Sequence, residues 1–227
     1  MKRIECAMFS AAVFDLDGTL FDTCQKVYGA LRITLSDAGL DAISEESFRP
    51  YMAVTLDMFF QEHYGMKRED ALAMVPRFRK EYAEICVESE PFPGIRDMLN
   101  GLGSVGIKIG VATNKGNSLA NSMIDSSVLK GLFSAVIGAE DNTITPKALT
   151  IRKCLRTMFS EPGSTVYIGD CISDYRAAST AGLAFIGVSY GYGFKTAEER
   201  KGIRMCNCPN DIFREIVGDN TADEQYN

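Results

Sequence analysis

Val13-Phe14-Asp15-Leu16-Asp17-Gly18-Thr19-Leu20 is the stretch on which the fold turns. The apolar run before it, residues 7–16, has the composition of a buried strand and ends on two aspartates spaced i, i+2. Residues at that spacing project to the same side of a strand. Two carboxylates forced together repel, so the pair calls for a cation. Gly18 permits a sharp turn just beyond, and Thr19 offers a hydroxyl to a neighbouring carboxylate.

Working outward, further apolar runs at residues 107–112, 135–138, 165–168 and 184–188 have the look of buried strands. Helical patterns at 95–102, 117–129, 147–159 and 172–181 separate them. Strands that are apolar almost throughout and alternate with helices predict an α/β fold with a parallel sheet covered on both faces. The interval from 23 to 89 breaks the rhythm, with helical stretches at 24–38, 45–64 and 67–87 and no strand signal. Glu90-Pro91-Phe92-Pro93-Gly94 punctuates the return to the sheet. The expected organisation is a core of residues 1–22 and 90–217, a helical insertion at 23–89, and a polar, flexible tail at 218–227.

Composition narrows the chemistry. The 227 residues hold one His and no Trp, which excludes a multi-histidine zinc site and leaves acid–base work to carboxylates. Lys plus Arg number 24 against 30 Asp plus Glu, a formal charge of −6 that argues against nucleic acid as a partner. Seven scattered cysteines read as reduced thiols of a cytoplasmic protein. Lys2 and Arg3 before an apolar stretch suggest a signal peptide, but the run enters Asp15 and Asp17 with no cleavage pattern, so a strand is the better reading. The longest uncharged run, 177–194, is broken by glycines, so no membrane span is expected. Gly101-Leu102-Gly103-Ser104-Val105-Gly106 matches a dinucleotide fingerprint literally, yet it lies between a helix and the following strand, the reverse of the required order.

A second acidic signal is Gly169-Asp170-Cys171-Ile172-Ser173-Asp174, again where a strand enters a helix. The carboxyl ends of parallel strands converge on one crevice, so Asp15, Asp17, Asp170 and Asp174 should meet there. Such a set implies a hard, oxygen-loving cation, with Mg²⁺ the natural candidate. Thr113-Asn114 follows the second strand and offers a hydroxyl and backbone N–H groups to a phosphate. Lys147, just after Pro146, places a point charge beside it.

These four motifs in order resemble the haloacid dehalogenase superfamily, and within it the phosphoglycolate phosphatase-like branch with a helical cap. Asp15-Leu16-Asp17-Gly18-Thr19 fits the first motif, Thr113 the second, Lys147 the third, and Asp170 with Asp174 the fourth. The resemblance implies a Rossmann-like three-layer core with a central parallel sheet and a small α-helical cap inserted after the first strand. It implies a Mg²⁺-dependent phosphatase acting on a small phosphorylated metabolite, phosphoglycolate- or sugar-phosphate-like, through an aspartyl-phosphate. Asp15 would be the nucleophile and Asp17 the acid–base. Mg²⁺ would sit on Asp15, the Asp17 carbonyl and Asp170, and Asp174 would orient Lys147 or a metal-bound water. Gly18, Thr19, Thr113, Asn114 and Lys147 would hold phosphate. The protein is expected to act as a monomer or homodimer.

The chain also departs from that pattern. Cys171 stands where a serine is frequent, raising the question of a redox-sensitive thiol. Ala53 replaces a glycine in the cap loop, where Arg49 is a candidate for a substrate anion and Thr55 for a hydroxyl. Arg77, Arg79 and Lys80 read as a solvated face, the cap residues Met52, Met58, Phe59, Phe60 and Met74 as core and cap–core interface, and His63 as a surface or satisfied residue. A phosphomutase of the same fold would yield sugar-phosphate isomers rather than free phosphate. A non-catalytic binding module would have lost a motif residue, and none is missing.

Overall fold

The first strand is apolar on both faces, and the computed structural model shows why. Within β1 (Ala11–Phe14), Ala12 and Phe14 join one hydrophobic cluster and Ala11 and Val13 another, so the strand is the partition between two cores. The structure describes residues 8–140 and 145–218. The tail expected beyond Gly218, and the start of the chain including Lys2, Arg3 and Ala7, lie outside the described residues.

After β1 come a short β2 (Phe21–Asp22), the helices α1 (Cys24–Asp37), α2 (Glu45–Phe48), α3 (Leu56–Tyr64) and α4 (Arg68–Ile85), and a short β3 (Glu90–Pro91). The chain continues through α5 (Ile95–Ser104), β4 (Lys108–Gly116), α6 (Asn117–Asp125), β5 (Ala135–Ala139) and α7 (Lys147–Met158). It ends with β6 (Thr165–Gly169), α8 (Ile172–Ala181), β7 (Ala184–Val188), α9 (Ala197–Arg200), β8 (Arg204–Cys206) and α10 (Pro209–Val217). The parallel six-stranded sheet has the order β5-β4-β1-β6-β7-β8. The chain moves from β1 to β4 on one side and later to β6 on the other, which makes β1 the switch point where a crevice opens. Phe14 lies opposite Val111 and Ile168, so Asp15 leaves the sheet between those two neighbours. Among the described residues, no helix is long and apolar enough to cross a membrane.

The α/β core and the helical cap after the first strand are as expected, with corrections of detail. The 45–64 stretch is not one helix: α2 passes into a 3-10 turn, Arg49–Ala53, before α3 begins. Pro50 has no N–H to continue an α-helical ladder, and the chain tightens instead. Pro76, by contrast, sits inside an unbroken α4. The edge strand β8 and the helix α10 went unread. So did the ribbon that pairs Phe21 with Pro91 and Asp22 with Glu90, which brings the two ends of the cap segment together. The cap has its own cluster, with Leu31, Leu35, Phe48, Phe59 and Phe60 buried.

Candidate active site

Asp15 ends β1, and its side chain is buried. Its backbone N–H donates to the Ile168 carbonyl (2.8 Å), which continues the ladder one residue past the strand. Lys147 Nζ lies 2.9 Å from Asp15 Oδ1, an ion-pair distance but out of line for a hydrogen bond, so this buried oxygen accepts none. Gly18 turns the chain at φ +78°, and a side chain there would collide with the Asp170 carboxylate and the Tyr192 ring. Only glycine fits both demands.

Across the crevice, Asp170 and Asp174 are buried at the junction of β6 and α8. Asp174 has both oxygens engaged: Oδ1 by Lys147, and Oδ2 by the backbone N–H of Asp170 (3.1 Å) and the Cys171 thiol (3.1 Å). Asp170 Oδ2 accepts from the Tyr192 backbone N–H at 2.6 Å. Burial pushes the Asp15 and Asp170 carboxyls well above the ordinary range, and Asp174 adds repulsion to each. Lys147 moves further into its charged range, because Asp15 and Asp174 outweigh the burial that opposes its charge. Buried carboxylates held against their own desolvation, one with an oxygen that accepts no hydrogen bond, form an oxygen donor set that fits a hard divalent cation. Asp170, Cys171 and Asp174 also bring potential ligand atoms within 4.8 Å of one another. Burial keeps the Cys171 thiol protonated, which leaves the carboxylates as the donors.

Thr113, Asn114 and Lys115 lie where β4 slips register against β5: Ala112 pairs with Ile137, but Gly116 pairs with Ala139. This bulge releases the three residues from the ladder at the strand's carboxyl end. Thr113 is buried and its hydroxyl accepts from the Lys115 N–H (3.2 Å), while Asn114 is exposed to the crevice.

A haloacid dehalogenase-like hydrolase family model matches residues 12–188. The chain belongs to that family. It is 33% identical over 186 residues to a phosphoglycolate phosphatase of Caulobacter vibrioides, covering 79% of this chain and 78% of that protein. It is 30% identical over 183 residues to a 5′-nucleotidase of Pseudomonas aeruginosa, covering 80% and 83%. A solved structure described as a predicted phosphatase from Clostridium acetobutylicum superposes with a TM-score of 0.82 at 25% identity, over 92% of this chain and 98% of that one. The chain is thus a phosphatase of the haloacid dehalogenase-like family.

Some residues expected at this phosphatase's site are elsewhere or idle. Arg49 is exposed, pairs with Glu45 at 3.8 Å one turn back along α2, and is not among the residues that border the cavity between cap and core. Thr55 is exposed at the start of α3. The Thr19 hydroxyl is buried but bonds no carboxylate; the Thr19 backbone carbonyl accepts from Tyr190 (3.0 Å). Arg79 is exposed, in keeping with a solvated face, and also borders the cleft between cap and core; Met52 and Phe59 line that cleft, where a cap–core interface was expected of them.

Residues that no motif announced also meet beside Asp17 and at the root of the cap. The Lys115 side chain is only 3% exposed, and its Nζ lies 3.1 Å from Asp17 Oδ1. It donates to the hydroxyl of Tyr82 on α4 (2.7 Å), which in turn donates to Asp17 Oδ1 (3.4 Å). The Tyr192 hydroxyl accepts from the backbone N–H groups of Thr23 (2.7 Å) and Cys24 (3.1 Å) and donates to Asp22 Oδ1 (2.7 Å). Between cap and core lies a cavity of about 600 Å³ that Asp17, Asn114 and Lys115 border.

Proposed function

We propose that the chain hydrolyses a phosphomonoester with Mg²⁺, through an aspartyl-phosphate on Asp15. One observation carries the reading: a buried Asp15 oxygen that accepts no hydrogen bond, at the sheet's switch point and beside Lys147. A buried carboxylate oxygen with a single ammonium beside it is a ready nucleophile, and Lys147 offsets its charge. In this reading Asp15 Oδ1 attacks phosphorus while Asp17 gives a proton to the departing alcohol oxygen. Asp17 then takes a proton from the water that attacks the acyl phosphate, which releases inorganic phosphate and restores the Asp15 carboxylate. Thr113, the Asn114 amide and Lys147 hold the phosphate oxygens, with Gly18 and Thr19 shaping the turn beneath. Asp174, whose oxygens are both engaged, orients Lys147.

Asp15, Asp170 and the Asp17 carbonyl are the groups that would hold Mg²⁺. When bound, the ion supplies charge neutralisation for an anion approaching a phosphate dianion. Residues 23–89 serve as the cap domain over a core of 1–22 and 90–217, and closure keeps bulk water from the acyl phosphate. The described cysteines are all free and all but Cys208 are buried, which supports a reducing, cytoplasmic setting.

Acid quench after mixing with a ³²P-labelled phosphomonoester tests the mechanism. Wild type should carry base-labile label on the peptide containing Asp15. Asp15→Asn should carry none and release no phosphate, with an unchanged circular-dichroism spectrum, and EDTA should stop wild-type turnover. Full activity of either sample overturns the proposal.

A further inference from the structure

The cavity is far larger than a two-carbon leaving group needs. Its volume of about 600 Å³ falls in the range of pockets that hold drug-sized ligands, roughly 300–1,000 Å³. It adjoins the phosphate site at Asp17 and Asn114, while Asp15, Thr113 and Lys147 lie outside its lining. Beyond Asp17, Asn114 and Lys115 the wall is largely apolar, with Val27, Tyr51, Met52, Leu56, Phe78 and Leu119 contributed by both cap and core. A small hydrophilic acid would leave most of this surface against water.

The wall also has a shape. Phe78 and Tyr82, four residues apart on α4, stack on each other with ring centroids 5.6 Å apart and planes 16° apart, and form one aromatic face of the cavity wall. Tyr82 is buried with Lys115 Nζ 4.2 Å over its ring, so the half-buried Phe78 is the ring a ligand can meet. Tyr82 is the ring whose hydroxyl reaches Asp17, so this face begins where the ester oxygen of a bound substrate would lie. Rings bind rings by offset stacking and edge contacts. Arg79 lies three residues before Tyr82, within one turn on the same side of α4. It forms no ion pair among the described residues, whereas Lys115 is committed to Asp17 and Tyr82. A planar guanidinium stacks on a ring and donates to its polar edge.

We infer that the phosphate ester taken by this crevice is that of a ring-bearing alcohol of about nucleoside size, seated against Phe78 and the apolar wall, and not that of a two-carbon acid. The inference rests on the phosphomonoesterase reading above. The probes are nucleoside 5′-monophosphates, benzyl phosphate, phosphoglycolate and glycerol phosphate, each with Mg²⁺. All are esters of aliphatic alcohols, so a better leaving group does not mimic better binding. The better of the nucleotides and benzyl phosphate should exceed phosphoglycolate in kcat/KM by at least tenfold. Val54 lines the same cavity but is 37% exposed, so Val54→Trp can fill the space without disturbing the core. It should lower the ratio of ring ester to phosphoglycolate efficiency at least tenfold. Phosphoglycolate equal to or better than both ring esters, or a ratio unmoved by Val54→Trp, overturns the inference. Phosphate release from no ester, p-nitrophenyl phosphate included, overturns the phosphomonoesterase reading instead.

Discussion

Lys115 Nζ lies 2.7 Å from the Tyr82 hydroxyl and 4.2 Å from the centre of the same ring, so a core cation and a cap aromatic meet face and edge beside Asp17. Tyr82 keeps its proton, because burial and the charge of Asp17 both oppose ionisation. The hydroxyl therefore donates to Asp17 while it accepts from Lys115. Tyr82→Phe retains the ring over the ammonium and removes only these bonds. A hydrogen bond to a charged group contributes about 1.5–3 kcal/mol, and each ~1.4 kcal/mol is tenfold in rate. Steady-state kinetics with saturating Mg²⁺ should show kcat reduced about 10- to 100-fold with KM within about twofold, if the bonds position Asp17 in the transition state. An unchanged kcat would remove Tyr82 from any positioning role.

Tyr192 links the acidic crevice to the root of the cap. Its backbone N–H holds Asp170, and its hydroxyl caps the start of α1, where Thr23 makes no side-chain cap of its own. Tyr192→Phe leaves two N–H groups and one carboxylate without that partner, at a cost of about 1–3 kcal/mol. For a chain of this size each kcal/mol lowers Tm by roughly 2–4 °C. The backbone bond to Asp170 survives the substitution, so Mg²⁺ affinity should change less than about threefold. Thermal scans and a Mg²⁺ titration separate the two effects; a large loss of affinity with an unchanged Tm is the contrary result.

The difference between what sequence showed and what it hid is one of range. Asp15 and Asp17 were legible because strand periodicity acts over two residues. Asp170 and Asp174 were legible because a helix turn acts over four. Lys115 resembles any lysine at a strand's end, and its partner Tyr82 is 33 residues away on a helix otherwise read as cap core. The Tyr192 bonds to Thr23 and Asp22 span about 170 residues. No local pattern encodes pairings of that length. Arg49 shows the converse: a cation in the expected loop pairs one helical turn back with Glu45 at the start of α2.

The acidic pair makes stability depend on pH and on Mg²⁺ together. Without a cation, burial raises the Asp15 and Asp170 carboxyls from 3.8 to about 7. A carboxyl raised on folding contributes stability that is fully present below its unfolded value and lost as pH climbs through the folded one. These groups should therefore make the EDTA-treated protein less stable at pH 8 than at pH 5.5. A cation that binds only the charged forms offsets the loss. The rise in Tm produced by Mg²⁺ should be several degrees larger at pH 8 than at pH 5.5. Calorimetry at both pH values checks this, and an equal rise would mean that the ion does not engage these carboxyls.

Cys171 lies beside the same acids, yet its surroundings keep it inert. The thiol is buried, donates to Asp174 Oδ2 at 3.1 Å and lies 3.0 Å from Ser173 Oγ. Burial and the charges of Asp174 and Asp170 hold it well above the usual thiol range. Oxidation and alkylation both need the thiolate and access to it. Native protein treated with iodoacetamide should be labelled at exposed Cys208 and not at Cys171, which should react only after unfolding. Cys171→Ser keeps a donor toward Asp174, so its kcat should stay within about twofold of wild type, and peroxide should inactivate both proteins at the same rate. Peptide mass spectrometry reads the labelling directly. Sulfinic acid at Cys171 of the native protein, accumulating in step with lost activity, would show instead that the thiol is a functional redox group.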